Sequence, residues 1–132
     1  MQKFTTFLLF VGKQHGKAEE AINFYVSLFK NSKIIEIKHY VKDELEPEGT
    51  IKLARFSLNG QEFMATESSN KGHEFTFTPA ISIFTECESE EEIDMLYKRF
   101  MAGGEAKMPI GNYGFSKKFG WVADKYGVRH YA

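Results

Sequence analysis

The sequence predicts an α+β protein built from two successive strand–helix–strand–strand–strand modules, with the helices on the outside of the sheets. Three observations predict it. An apolar strand followed by an amphipathic helix occurs twice, and the two helices begin about 70 residues apart. Each helix is followed by three segments of strand character. The last two strands of each module are joined by a short glycine-containing turn, "NG" at 59–60 and "DKYG" at 124–127.

The elements follow in order. "FTTFLLFV" (4–11) reads as a buried strand, and the glycines of "GKQHGK" break it. In "AEEAINFYVSLF" (18–29), Ala18, Ala21, Ile22, Tyr25, Leu28 and Phe29 recur at helical spacing and make one apolar stripe. "KIIEIKHYV" (33–41) reads as a strand, "KDELEPEG" as an acidic loop, and "TIKLARFSL" (50–58) and "QEFMATE" (61–67) as the two arms of a hairpin. "SSNKGH" (68–73) is a polar joint. "AISIFTE" (80–86) then repeats the character of the first strand.

The second helix has the clearest signals. Ser89 with Glu92 forms a capping box, and acidic residues fill the first turn, where the helix dipole favours them. Ile93, Leu96, Tyr97, Phe100 and Met101 make its buried stripe, and Gly103-Gly104 gives a left-handed stop. "EAKMPIG" is an edge strand, because Pro109 cannot donate to a ladder. "YGFSKKFGWVA" leads into a further strand, and "VRHYA" returns after the turn. The expected organisation is one domain over 1–132, with module one at about 3–67, a joint at about 68–77 and module two at about 78–132. Units of roughly 60 residues bury little surface, so neither half is expected to be stable alone.

Composition narrows the function classes. Hydrophobic residues are 42% and aromatics 15%, which suffices for a packed core. Lys+Arg 17 against Asp+Glu 18 leaves a net charge of −1, so neither nucleic acid nor a strongly basic partner is indicated. The opening apolar run is too short to span a bilayer and lacks a small-residue cleavage site, so neither a membrane span nor a signal peptide is expected. Cys87 is the only cysteine, which fits a reducing cytoplasm and reads as a small residue at a strand end.

"AEEAINFYVSLFKNSKI", "LNGQEFMA", "FTFTPAISIF" and "YGFSKKFGWVADKYGV" resemble the PhnB-like branch of the vicinal oxygen chelate superfamily, which also holds glyoxalase, bleomycin-resistance and extradiol dioxygenase proteins. The branch is also labelled 3-demethylubiquinone methyltransferase-like. The likeness runs from about Phe4 to Val128. It implies two βαβββ modules forming a cupped mixed sheet around a pocket, the glyoxalase/bleomycin resistance fold, in a homodimer. Methyl transfer from S-adenosylmethionine is not expected, because "VGKQHGK" has no G-x-G-x-x-G pattern.

In the metal-using relatives, the resemblance places His or Glu ligands on the first and last strands of each module. Carried over, those positions fall near Thr5, Glu67, Ser82 and Tyr131, and "RHY" stands where many PhnB-like chains have "SWQ". Only Glu67 is a good ligand, so neither a metal nor a cofactor is expected. The lead reading is a protein that binds or transforms a small aromatic or quinone-like molecule. A metal-dependent lyase or dioxygenase, or a dimeric scaffold without catalysis, is the alternative.

Candidate pocket residues are Thr5, Phe7, Ser82, Tyr113, Phe115, Trp121, His130 and Tyr131. Glu67 is a candidate general base, against the plain alternative of a strand-end carboxylate in water. On the last strand, alternation puts Val128 and His130 on one face and Arg129 and Tyr131 on the other, so His130 or Tyr131 faces inward. Tyr113, Phe115, Phe119 and Trp121 form an aromatic cluster near Lys117 and Lys118, which are either solubilising charges or contacts to an anion. His15 and His39 read as solvent-facing, and His73 lies in the joint.

Overall fold

Alternating burial along the phenylalanine-rich strands sets the architecture. The computed structural model describes residues Met1–Ala132, which divide into two compact units, Met1–Thr76 and Phe77–Ala132. Each contains one α-helix and one mixed four-stranded sheet, so the fold is α+β.

The first unit runs β1 (Thr6–Phe10), a 3-10 turn (Gly12–Gln14), α1 (Ala18–Leu28), β2 (Lys33–His39), β3 (Ile51–Leu58) and β4 (Gln61–Glu67). The sheet order is β1-β4-β3-β2, with β1 parallel to β4 and the other pairs antiparallel. Register puts Leu8 beside Ala65 and Phe10 beside Glu67, on the face that α1 covers. Ala18, Ala21, Ile22, Tyr25 and Leu28 are buried, which is the helical stripe the spacing predicts. Phe56 and Phe63 stack across the β3–β4 pair with centroids 5.5 Å apart. The hairpin turns at Asn59 (φ 49°) and Gly60 (φ 84°), the two left-handed residues of a type I′ turn.

The second unit runs β5 (Ser82–Phe84), α2 (Glu90–Met101), β6 (Glu105–Gly111), β7 (Phe119–Ala123) and β8 (Arg129–Tyr131). The order β5-β8-β7-β6 repeats that of the first sheet, with β5 parallel to β8. β6, which carries Pro109, is an edge strand. Ser89 Oγ accepts the Glu92 amide at 3.2 Å, while Glu92 Oε1 accepts from the Glu88 amide at 2.9 Å, one residue before the cap. Gly103 (φ 75°) makes the left-handed stop. Gly104 has a different role from the one expected. A Cβ there would lie 2.3 Å from the Phe100 carbonyl oxygen and 2.4 Å from that of Ala123, so the residue lets two backbones approach.

Some boundaries contract. β1 begins at Thr6, leaving Phe4 and Thr5 outside it, and β5 covers only 82–84 because its partner β8 is three residues long. α1 ends at Leu28, since Phe29 is already extended (ψ 146°). No helix is long and apolar enough to cross a membrane.

Candidate functional site

The sheet of the second unit has two unlike faces. Gly120, Val122 and His130 point to α2. A side chain at 120 would meet Tyr97, and the His130 ring stacks on Phe100 at 3.9 Å and 11°. The opposite face carries rings in register. Trp121 lies beside Tyr131, and Tyr131 lies beside Phe84. Trp121 and Tyr131 stack at 5.0 Å and 5°, and Phe84 and Tyr131 at 5.8 Å and 20°. Phe119, two residues before Trp121, approaches Tyr131 at 5.4 Å and Phe84 at 6.4 Å.

The segment after β6 extends this ladder. Phe115 meets Phe119 edge-on at 4.8 Å, and Tyr113 does so at 5.8 Å. An Asx turn, in which Asn112 Oδ1 accepts the Gly114 amide, shapes the segment, and the Tyr113 hydroxyl donates to the Pro109 carbonyl. Six rings therefore form one connected array, and Phe84 (60%) and Phe115 (69%) remain exposed at its ends. Phe119 is buried within the array, and Trp121 and Tyr131 are half-buried.

Terminal-strand alternation is thereby resolved. Tyr131 belongs to the ring face and His130 to the helix face, so His130, a candidate pocket residue, lies on the opposite side of the sheet from Tyr131. His130 is 3% exposed, and its Nε2 lies 2.8 Å from Asp124 Oδ2. The other oxygen of Asp124 accepts the amides of Tyr126 (2.8 Å) and Val128 (3.1 Å), so one buried carboxylate shapes the turn and fixes the histidine.

Glu67 does not sit at a strand end in water. It is 3% exposed and faces α1. Its Oε1 accepts the Ile51 amide at 2.7 Å, and its Oε2 accepts those of Gly16 and Ala18. α1 has no side-chain cap of its own, because Lys17 occupies the cap position. The Glu67 carboxylate supplies the acceptor that the exposed amides of a helix start require. The reason is positional: Glu67 pairs with Phe10, whose side of the sheet is the helix side, whereas Tyr131 pairs with Phe84 on the ring side.

In the first unit, the face turned away from α1 carries Phe7, beside Met64, and is 55% exposed at Phe7. It carries paired charges. Arg55 Nη1 lies 2.7 Å from Glu62 Oε1, Lys3 Nζ lies 2.6 Å from Glu62 Oε2, and Glu36 pairs with Arg55 in register. The Lys3 and Arg55 bonds hold the Glu62 carboxyl below its ordinary range. Thr5 lies one residue before β1.

Two further expectations change. Lys118 is committed to α2, where it bonds both oxygens of Asp94 at 2.9 and 3.0 Å. Those contacts also raise its pKa, with the Asp94 bond first among the causes. His15 is largely shielded, with its Nε2 3.5 Å from Glu46 Oε1. His39 is partly exposed and bonds Glu19 at 2.7 Å, and His73 meets the edge of Phe75. Thr5, Ser82 and Tyr131 are neutral oxygens unsuited to a divalent ion, Glu67 is spent on backbone amides, and no three His, Cys, Asp or Glu side chains are grouped to hold one. Sequence reasoning missed Arg129, which β8 places on the ring face beside Ser82; its charge type was visible, and its neighbours required the strand register.

The profile of the 3-demethylubiquinone-9 3-methyltransferase family matches residues 2–131. A PhnB protein from Bacillus cereus that carries the same family description is 52% identical, over 98% of this chain and 97% of that one, with a TM-score of 0.92. A protein from Pseudomonas aeruginosa superposes with a TM-score of 0.80 at 22% identity, over 99% and 96% of the two chains. The genomically encoded fosfomycin resistance protein FosX from Listeria monocytogenes superposes with a TM-score of 0.60 at 16% identity, over 99% and 92%. The last two likenesses are of fold. A search of functionally curated proteins found no match.

Proposed function

The chain belongs to the 3-demethylubiquinone-9 3-methyltransferase family, the PhnB-like branch of the vicinal oxygen chelate superfamily, and from that premise we propose that it binds a small planar molecule, aromatic or quinone-like, on the ring face of the second unit. The observation that carries this reading is the in-register stack Phe84–Tyr131–Trp121 on the side of the sheet away from α2. Rings held parallel by strand register form an ordered stack that ends at the exposed Phe84, so a flat ligand that extends it costs little side-chain entropy. Phe119 backs the stack, and Tyr113 and Phe115 border it from a loop.

Methyl transfer is not part of this reading, despite the family description. A dinucleotide-like cofactor site needs a glycine-rich turn between a strand and a helix of a parallel sheet. Here β1 runs into a 3-10 turn, and its sheet is mixed and four-stranded. We also carry the homodimer and a cytoplasmic location from the family resemblance. Light scattering on the purified protein reads the first, with the mass of two chains as the expected result.

The test is a thermal-shift series with 1,4-naphthoquinone and other planar rings. A ligand at about 100 times its Kd adds about 2.7 kcal/mol to a folded state that alone binds it. A concentration-dependent rise in Tm that Tyr131→Ala abolishes supports the reading. Absence of any shift across planar ligands at millimolar concentration overturns it.

A further inference from the structure

The ring face also carries polar atoms with nothing to bond. Ser82 Oγ, Trp121 Nε1 and Arg129 Nε are buried and have no hydrogen-bond partner. Register ties them to one region. Ser82 lies beside Arg129 on the paired strands β5 and β8, and Trp121 lies beside Tyr131, two residues along β8 from Arg129. A buried donor left without an acceptor costs about 1–3 kcal/mol, so such groups in a native structure call for a partner.

Their chemistry specifies that partner. An indole N–H and a guanidinium N–H can only donate, and a serine hydroxyl can donate. Arg129 also brings a full positive charge. Its Nη1 donates to the carbonyls of Phe77 (2.9 Å) and Gly127 (2.5 Å), and it makes no ion pair with a carboxylate. Those carbonyls fix the guanidinium without neutralising it. Of the two lysines that the sequence places near the rings, Lys118 is neutralised by Asp94 on α2 and Lys117 is exposed to solvent. We infer that the ligand is a planar ring bearing an anionic oxygen group of the carboxylate or enolate kind. Its ring packs against the Phe84–Tyr131–Trp121 stack, and its anionic oxygens accept from Arg129 and Ser82. This rests on the ring-face reading and adds the charge and acceptor character of the ligand.

The test is isothermal titration of the intact protein with 2-naphthoate and, separately, with 2-naphthalenemethanol, which has the same ring without the charge. The wild type is expected to bind 2-naphthoate about tenfold tighter or more, the effect of one charge-assisted hydrogen bond. Arg129→Gln should erase that preference and leave the alcohol's affinity unchanged. Ser82→Ala, which removes no hydrogen bond within the fold, should weaken 2-naphthoate alone by about threefold, the effect of a modest hydrogen bond. Equal affinity of the wild type for both probes overturns the charge assignment and leaves the ring platform standing. Binding of neither probe overturns the platform itself. Should Arg129→Gln unfold, a preference reduced about threefold in Ser82→Ala supports the assignment and an unchanged preference there contradicts it.

Discussion

The Glu67 carboxylate lies 3.2 Å from the amide of Ala18, a residue 49 positions away, and thereby caps a helix whose own sequence provides no cap. Three backbone amides from a loop, a helix start and β3 converge on this one buried side chain. Glu67→Ala leaves all three donors without an acceptor, and the expected loss in urea denaturation is about 3–5 kcal/mol. Glu67→Gln keeps one acceptor oxygen and should cost less. A strand-end carboxylate in water would cost under about 0.5 kcal/mol on either change.

The pair Asp124–His130 is equally buried, with both side chains 3% exposed or less. A double-mutant cycle over Asp124→Asn and His130→Gln should return a coupling of about 1–3 kcal/mol, as residues in one buried network do. Strict additivity would show that the 2.8 Å contact contributes nothing to the pair's stability.

Gly60 and Gly104 should respond differently to alanine. At Gly60 (φ 84°) nothing lies within 4 Å of an added Cβ, so only the left-handed backbone is penalised, by about 1 kcal/mol. At Gly104 the Cβ would strike two backbone carbonyl oxygens, so α2 and β7 must separate. Chemical denaturation should show the Gly104→Ala loss to be at least twice that of Gly60→Ala. Equal losses would contradict the close approach.

Cys87 should alkylate slowly. Burial first, and then the charge of Glu92, push its thiol above the ordinary value of 9.0. The folded state therefore holds the thiol proton more tightly than the unfolded chain. That contribution is complete below the unfolded pKa and is lost as pH rises through the folded one. Iodoacetamide at pH 8 should label the folded protein more slowly than the urea-unfolded chain, and the rate should rise with pH above 9.0. Equal rates would show an ordinary exposed thiol.

Local signals carried most of the fold. The period of the α2 stripe, the Ser89 cap, the Asn59-Gly60 turn and the edge position of Pro109 each depend on neighbours within a few residues. The ring cluster was legible for the same reason, since Tyr113, Phe115, Phe119 and Trp121 are close in the chain. The roles of Glu67, His130 and Arg129 were not. Each depends on which face of a sheet a residue occupies, and register decides that across 45 residues or more: Phe10 against Glu67, Phe84 against Tyr131. One residue of parity moves a carboxylate from solvent to the cap of a helix.

Trp121 is the only tryptophan, so its indole N–H gives one resolved signal in a proton–nitrogen correlation spectrum of the labelled protein. Titration with 2-naphthoate is the most direct test of the ring face as a binding surface. A saturable shift of that indole signal together with the amides of β5 and β8 is expected, while the α2 amides stay in place. Saturable shifts confined to α2, with the Trp121 indole unmoved, would contradict it.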